Sequence, residues 1–127
     1  MLAEALHSGS NMVVKRELIR GAGPVAVLQL LKRREMYGYE LAELLSRRSE
    51  GVLALGQSTL YPLLYSLESK GQVESRWVEL PSGRKRRYYR ITDSGLAMLE
   101  TQRAQWQELF QAMMGLGLLT PIAMEAP

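Results

Sequence analysis

The sequence contains no cysteine and a single histidine, His7, and these two shortages exclude most kinds of reactive site. Without cysteine the chain cannot form disulfides, thiolate zinc sites or cysteine nucleophiles. A Ser-His-Asp triad or a histidine-rich metal site would depend on one residue near the N-terminus. We therefore expect a protein that is not an enzyme and that needs no metal and no cofactor.

Long apolar runs are also missing. No stretch reaches the ~18 to 20 consecutive apolar residues that a membrane span needs. The N-terminal segment Met1 to Leu6 is too short for a secretion signal, and it carries Glu4. The 127 residues, of which 46% are apolar and 23% charged, are typical of one compact soluble domain. We expect a cytoplasmic protein with no membrane contact.

The net charge of the chain is small, but positive charge is concentrated in one segment. The net charge is +3, yet Lys70 to Thr92 holds seven basic and two acidic residues, a balance of +5, which leaves −2 for the rest of the chain. Five of these cations lie within residues 84–90, which read Arg-Lys-Arg-Arg-Tyr-Tyr-Arg, so that two tyrosines stand among them. Clustered guanidinium groups bind phosphate oxygens well, which favours nucleic acid as partner. The alternative interpretation is a solvated charged turn.

Helical patterns cover the first half of the chain. Residues 15–34 carry apolar residues at helical spacing, but Gly23 and Pro24 interrupt them, so we expect a kink or a new helix start at Pro24. After a short break at residues 36–39, a second helix is predicted to end near Gly51.

A third helix is predicted from the small polar residues at 56–59, which can cap it, to Lys70, with Gly71 as a left-handed C-cap and Pro62 in the first turn. Four leucines form its apolar stripe: Leu60, Leu63, Leu64 and Leu67. The opposite side, here called the contact face, consists of short hydroxyls and rings that can approach another surface closely: Ser58, Tyr61, Pro62, Tyr65, Ser66 and Ser69. The alternative is that these residues are merely tolerated on a solvated face.

Two runs typical of strands, separated by Pro81-Ser82-Gly83, predict a β-hairpin with the basic cluster at its tip and returning strand. Three short helices followed by a basic hairpin match the winged helix-turn-helix layout, in which the third helix enters the major groove of DNA and the wing contacts the backbone or minor groove. We therefore expect a mainly α fold with a small β-hairpin.

Thr92 and Asp93 then predict the start of a long last helix. Its apolar residues recur with heptad-like spacing, and nothing follows to cover them, which indicates a homodimer. The alternative is a helix that folds back on its own core. The predicted dimer and effector residues are Leu99, Arg103, Trp106, Leu109, Phe110 and Met113.

The sequence strongly resembles the PadR family of bacterial transcriptional regulators over about residues 15–114. The resemblance rests on four blocks in the right order and spacing: Met-Tyr-Gly-Tyr-Glu-Leu at 36–41, Ser-Thr-Leu-Tyr-Pro-Leu-Leu-Tyr-Ser-Leu-Glu-Ser-Lys-Gly at 58–71, Glu-Ser-Arg-Trp at 74–77, and Gly-Arg-Lys-Arg-Arg-Tyr-Tyr-Arg-Ile-Thr at 83–92. Because one long helix follows the wing, the chain resembles the family's group with a short C-terminal part.

This resemblance implies a homodimer that binds double-stranded DNA at a palindromic operator, usually to repress, and that is released by a small molecule or signal. It implies contacts from the recognition-helix residues Thr59, Tyr61 and Pro62, from the aromatic pair Tyr37 and Tyr39, and from the basic wing, Arg84, Lys85, Arg86 and Arg87. The sequence departs from the family pattern in two places: Ser66 stands where an arginine is common, and the Gly23-Pro24 pair interrupts the first helix.

The resulting division of the chain is a flexible arm or expression remnant at 1–14, a winged helix-turn-helix at 15–91, a dimerisation helix at 92–118 and a tail at 119–127. We expect a small aromatic effector to bind between the two copies of Trp106 and to change the spacing of the recognition helices. Simple interface packing by Trp106 is the alternative. For the whole protein, the alternative function is a winged-helix interaction module whose basic wing binds an acidic partner.

Overall fold

The computed structural model describes residues 9–121 of the chain, with side chains from residue 16 onward. The elements follow in the order α1 (Gly9–Leu31), β1 (Met36–Tyr37), α2 (Gly38–Arg48), α3 (Gln57–Ser69), β2 (Val73–Glu79), β3 (Lys85–Ile91) and α4 (Asp93–Gly115). The strands form one antiparallel sheet in the order β1-β3-β2. The predicted fold, mainly α with a small hairpin, is confirmed.

Helix α1 differs from its prediction. It runs from Gly9 to Leu31 as one helix with Pro24 inside it, so the alternative of a fresh helix start at Pro24 is wrong. Tight packing around the proline accounts for this, because Gly23 is buried and its missing side chain leaves room for Leu63 of α3. The last part of the predicted arm, residues 9–14, is helical, and residues 1–8 lie outside the described part of the chain.

The core lies where α1, α2 and α3 meet the sheet. Leu60, Leu64 and Leu67 of α3 are buried, as the leucine stripe predicts, and Leu63 is half-buried against them. The other large side chains that are fully enclosed come from several elements: Val27, Leu28, Met36, Leu41, Val73 and Leu99. Burying such side chains contributes roughly 1.5–3 kcal/mol each, which fixes α3 firmly on the core.

The start of α3 agrees with its prediction in part. Gly56, one of the four residues predicted to cap the helix, is the N-cap residue, and no side chain makes a hydrogen bond at the cap, so the hydroxyls of Ser58 and Thr59 do not cap the helix. Because the helix begins at Gln57, Pro62 lies in its second turn rather than its first. The proline nitrogen cannot donate to the carbonyl of Ser58 four residues earlier, and that end of the helix tolerates the loss because Ser58 is exposed. The other end is as predicted, with Gly71 at a φ of 74°.

The hairpin matches its prediction, and one strand was missed. Val73 pairs with Ile91 and Glu79 with Lys85, with the Pro-Ser-Gly turn between the strands. The missed strand is β1, where Met36 pairs with Tyr89 and Tyr37 with Tyr88. Two residues carry no periodic pattern, so only their pairing with β3 makes them a strand. This pairing attaches the start of α2 to the returning strand of the hairpin.

The last helix begins as predicted and then leaves the core. The Thr92 hydroxyl accepts a hydrogen bond from the Gly95 amide at 3.1 Å. Leu99 is fully buried in the chain's own core, so its predicted place at a dimer interface is wrong. Beyond it, Trp106, Leu109 and Phe110 are 40 to 50% exposed. None of the described helices is long and apolar enough to cross a membrane.

Gly95 is the position where a single methyl group is expected to damage the fold most directly. A Cβ atom there would lie 2.1 Å from the backbone oxygen of Gln72. Gly95→Ala should therefore lower the free energy of unfolding by about 2–4 kcal/mol, measured by urea denaturation. Gly21→Ala is the matched control, because nothing lies within 4 Å of the added methyl, and it should raise stability by up to about 1 kcal/mol. Equal stabilities for the two variants would contradict this packing.

Candidate nucleic-acid interface

The contact face of α3 points away from the core, as predicted. Its central residues, Ser58, Pro62, Tyr65 and Ser69, are exposed, and the Tyr65 ring is 74% exposed. Tyr61 lies on the side nearer the hairpin, and Thr59 and Ser66 lie on the side nearer α1; all three are exposed. The helix therefore presents hydroxyl groups and two tyrosine rings on one side, with no long charged side chain among them.

A groove of about 690 Å³ separates the hairpin from the starts of α2 and α3, and we call it the wing groove. It brings together residues that are far apart in the sequence: Tyr37, Tyr39, Tyr61, Trp77, Arg84, Lys85, Arg86 and Arg87. The close approach of α2 and α3 depends on Gly38, where a Cβ atom would lie 2.7 Å from the Tyr61 hydroxyl.

Trp77, 64% exposed, was missed as a functional candidate. Counting outward from the Pro-Ser-Gly turn places Trp77 opposite Arg87, so the predicted hairpin could have shown that this ring lies beside the basic cluster.

The two tyrosines at the start of α2 differ in their surroundings. The Tyr37 ring packs edge-on against Tyr88, with centroids 5.5 Å apart, and the Arg86 guanidinium lies 4.3 Å from its centroid. Tyr37 thus supports the base of the wing through its ring. Tyr39 is 68% exposed, so its hydroxyl is free to reach a partner.

The basic residues of the hairpin fall into two groups. Three are paired with carboxylates: Arg76 with Glu35, Arg87 with Glu68, and Arg90 with Glu74. Within residues 16–121, Arg84, Lys85 and Arg86 form no ion pair and are exposed; we call them the wing cations. The positive field of the wing thus arises from its tip and the first two residues of β3, because the cations nearer its base are neutralised.

The pair between Arg76 and Glu35 joins the hairpin to the loop that follows α1. The Arg76 Nε atom donates to Glu35 at 3.0 Å, and this hydrogen bond holds the pKa of Glu35 below its usual range. Carboxylates of this kind stabilise the fold above their unfolded pKa, and the stabilisation is lost as pH falls through the folded pKa.

This pair predicts how the stability depends on pH. The free energy of unfolding should fall between about pH 5 and pH 3, and Glu35→Gln should reduce the part of that fall that Glu35 causes. Urea denaturation at several pH values measures the effect. Glu43→Gln is the control, because Glu43 is exposed and its pair with Arg47, at 3.9 Å, is long. An unchanged pH profile in Glu35→Gln would contradict the assignment.

A second groove, of about 920 Å³, lies on the other side of α3, against α1 and α4. Ser58, Thr59, Pro62 and Ser66 line it, so the contact face forms the ridge between the two grooves. Three further cations, Arg16, Arg20 and Lys70, also line this groove and were not among the predicted contacts. Their shared location depends on the packing of α1 against α3, which no local pattern reveals.

The exposed part of α4 forms an apolar surface together with α1. Trp106 lines a shallow hollow of about 330 Å³ with Val25, Ala26 and Gln29 of α1, and Arg103 lies at the same hollow. Arg103 also donates to Glu100 at 3.2 Å. Leu109 and Phe110 extend the exposed surface along α4, and Met113 is half-buried.

These features define a winged helix-turn-helix regulator: a third helix with an exposed polar face, next to a hairpin with a basic tip, and a long last helix. Within the described residues, no group of three acidic or histidine side chains is placed to hold a metal ion. The model of the transcriptional regulator PadR-like family matches residues 27–101, and the chain belongs to this family. The family consists of transcriptional regulators, not enzymes.

Individual relatives agree with this assignment. A transcriptional regulator of Mycobacterium tuberculosis is 35% identical over 100 residues, which cover 79% of this chain and 90% of that protein. A PadR family regulator of Eggerthella lenta, solved as a crystal structure, is 38% identical with a TM-score of 0.73, over 87% of this chain and 93% of that one. A transcriptional regulator of Clostridium thermocellum is 26% identical with a TM-score of 0.72, over 78% and 96%.

Proposed function

We propose that this regulator binds double-stranded DNA with the contact face of α3 in the major groove and the wing cations on the phosphate backbone. The wing cations Arg84, Lys85 and Arg86 are exposed and form no ion pair within residues 16–121, and their placement beside a helix face of hydroxyls and tyrosine rings supports this proposal. Contacts between cations and phosphates fix the position of a protein on the DNA backbone, and contacts of hydroxyl and aromatic side chains with base edges distinguish sequences. Tyr39 adds a phosphate contact through its hydroxyl.

We also propose that the protein acts as a homodimer on a palindromic operator, where it represses transcription. The apolar surface supports this, because Leu109 and Phe110 stand on α4 and Leu18, 65% exposed, stands on α1. Large exposed apolar patches of this kind are typical of protein interfaces. A two-fold dimer places its recognition helices about 34 Å apart, in successive major grooves. Such a regulator works in the bacterial cytoplasm, at the nucleoid when bound to DNA.

Selection of fragments from the source genome tests these proposals. The captured fragments should share a palindrome with half-sites about one helical turn apart. The alternative function, an interaction module whose wing binds an acidic partner, predicts retention on heparin with no preference among genomic fragments. That second outcome would reject sequence-specific DNA binding.

We further propose that a small aromatic effector binds at Trp106. The hollow beside this indole is lined almost entirely by apolar surface, and in a dimer two such hollows would meet near the two-fold axis. A ligand releases DNA only if it binds the two dimer geometries with different affinity. Titration of aromatic drugs and phenolic acids, followed by tryptophan fluorescence, tests this site. The response should persist in Trp77→Phe and disappear in Trp106→Phe; no response to a broad panel would contradict it.

A further inference from the structure

A hydrogen-bonded cluster joins the recognition helix to the wing. The Ser75 hydroxyl donates to Glu68 Oε2 at 2.6 Å and accepts from Arg87 Nε at 2.8 Å, while Arg87 Nη2 donates to Glu68 Oε1 at 2.9 Å. Glu68 belongs to α3, Ser75 to β2 and Arg87 to β3. Each of these three side chains therefore forms hydrogen bonds with the other two, which lie on other elements of the fold.

This cluster is distinct from the other ion pairs of the hairpin. Arg90 and Glu74 lie opposite each other on the two strands, so their pair stays within the wing. Among the described residues, the side-chain hydrogen bonds between α3 and the hairpin all end on Glu68. The Arg87 guanidinium is also held near two rings, 5.8 Å from the Trp77 centroid and 5.6 Å from the Tyr89 centroid.

We propose that Glu68, Ser75 and Arg87 are positioning residues that fix the angle between α3 and the wing, and that Arg87 is not a phosphate contact. This inference rests on the proposed DNA binding and refines it. The wing cations lie on the same hairpin as Arg87, at its tip and along β3. Contact with phosphates while α3 occupies the major groove requires the hairpin to keep one orientation relative to α3. The fork geometry of arginine suits this role, because it binds the carboxylate and the hydroxyl together.

The two possible roles of Arg87 predict opposite effects of the same substitution. If Arg87 contacted phosphate, Glu68 would compete with DNA for it, and Glu68→Gln would strengthen binding. If the cluster positions the wing, Glu68→Gln should weaken operator binding. Glu74→Gln is the matched control, since it also removes one negative charge and the carboxylate partner of a hairpin arginine, Arg90, but the pair that it breaks does not involve α3. We expect Glu68→Gln to bind the operator about threefold to tenfold more weakly than Glu74→Gln. Equal or tighter binding would overturn the proposal.

Two further variants separate positioning from charge and from misfolding. Arg87→Lys keeps the positive charge but cannot reach both acceptors, so it should weaken binding like Glu68→Gln and leave the salt dependence of binding unchanged. Ser75→Ala removes the bridging hydroxyl without changing any charge, and it should also weaken binding. Wild-type affinity in both variants would overturn the proposal.

The orientation of the wing relative to α3 can be measured without DNA, so the positioning role can be tested separately from the proposed DNA binding. Because the chain has no cysteine, Gln57→Cys and Ser82→Cys introduce two label sites per chain, at the start of α3 and in the turn of the wing, and an excess of unlabelled chain keeps the measured distance within one copy. We expect a narrow distance distribution in the otherwise wild-type protein and a broader or shifted one with Glu68→Gln. The distribution should stay unchanged with Glu74→Gln. An unchanged distribution with Glu68→Gln would overturn the positioning role, whatever the protein binds.

Discussion

Replacing Arg84, Lys85 and Arg86 together with alanine is expected to lower DNA affinity at least about 100-fold at ~0.1 M salt. The wing cations form no ion pairs within residues 16–121, so their charge is available to phosphates. In a dimer they supply up to six of the roughly six to eight contacts that give a salt slope of about −5 to −7. The slope of log affinity against log salt should therefore become shallower by about 3 to 5.

The loss should be similar on every duplex, because phosphate contacts carry no direct sequence information. Arg90→Ala is the matched control, since Arg90 lies on the same strand but is paired with Glu74. It should change affinity little. Substitutions of Tyr65 or Ser66, by contrast, should change the preference among sequences. Equal loss on every sequence from both sets of substitutions would contradict this division of roles.

A charged residue introduced on the apolar surface of α4 is expected to prevent dimerisation and to weaken operator binding. Phe110→Glu should convert the dimer to monomers at micromolar concentration, because it places a carboxylate where two apolar surfaces would meet. Operator affinity should fall at least about 100-fold, since the second half-site is then no longer bound by a tethered copy. Analytical ultracentrifugation and operator binding measure the two effects.

Gln105→Glu is the control for this substitution. Gln105 is an exposed polar residue on the same helix, so its replacement should leave the mass in solution unchanged. A wild-type chain that sediments as a monomer would contradict the proposed dimer. A monomeric Phe110→Glu variant with full operator affinity would contradict the need for two copies.

Local patterns predicted the elements that carry the interface. The leucine stripe identified the buried side of α3, and the Pro-Ser-Gly turn between two strand-like runs identified the hairpin. Periodicity could not identify β1, because a strand of two residues exists only through its pairing with β3. The fresh helix start at Pro24 is wrong for a related reason, since packing of Gly23 against Leu63 supports a continuous helix that local propensity disfavours.

The sequence alone also does not show which cations of the hairpin are free to contact a partner and which are paired with carboxylates. Arg76 and Glu35 are 41 residues apart, and Arg87 and Glu68 are 19 apart. Only the packed fold places these charges together and separates the wing cations from their neutralised neighbours. On α4, one heptad-like pattern includes both Leu99, which is buried in the chain's own core, and the exposed apolar residues that follow. The pattern therefore does not show where the core ends and the exposed surface begins.

The spacing of the half-sites shows whether two copies of this chain place two recognition helices on one face of a palindromic operator. The measurement is the affinity for the selected operator and for the same operator with about 5 base pairs inserted between its half-sites, which turns them to opposite faces. We expect two chains per intact operator and loss of specific binding after the insertion. One chain per operator, or equal affinity for the two duplexes, would contradict it.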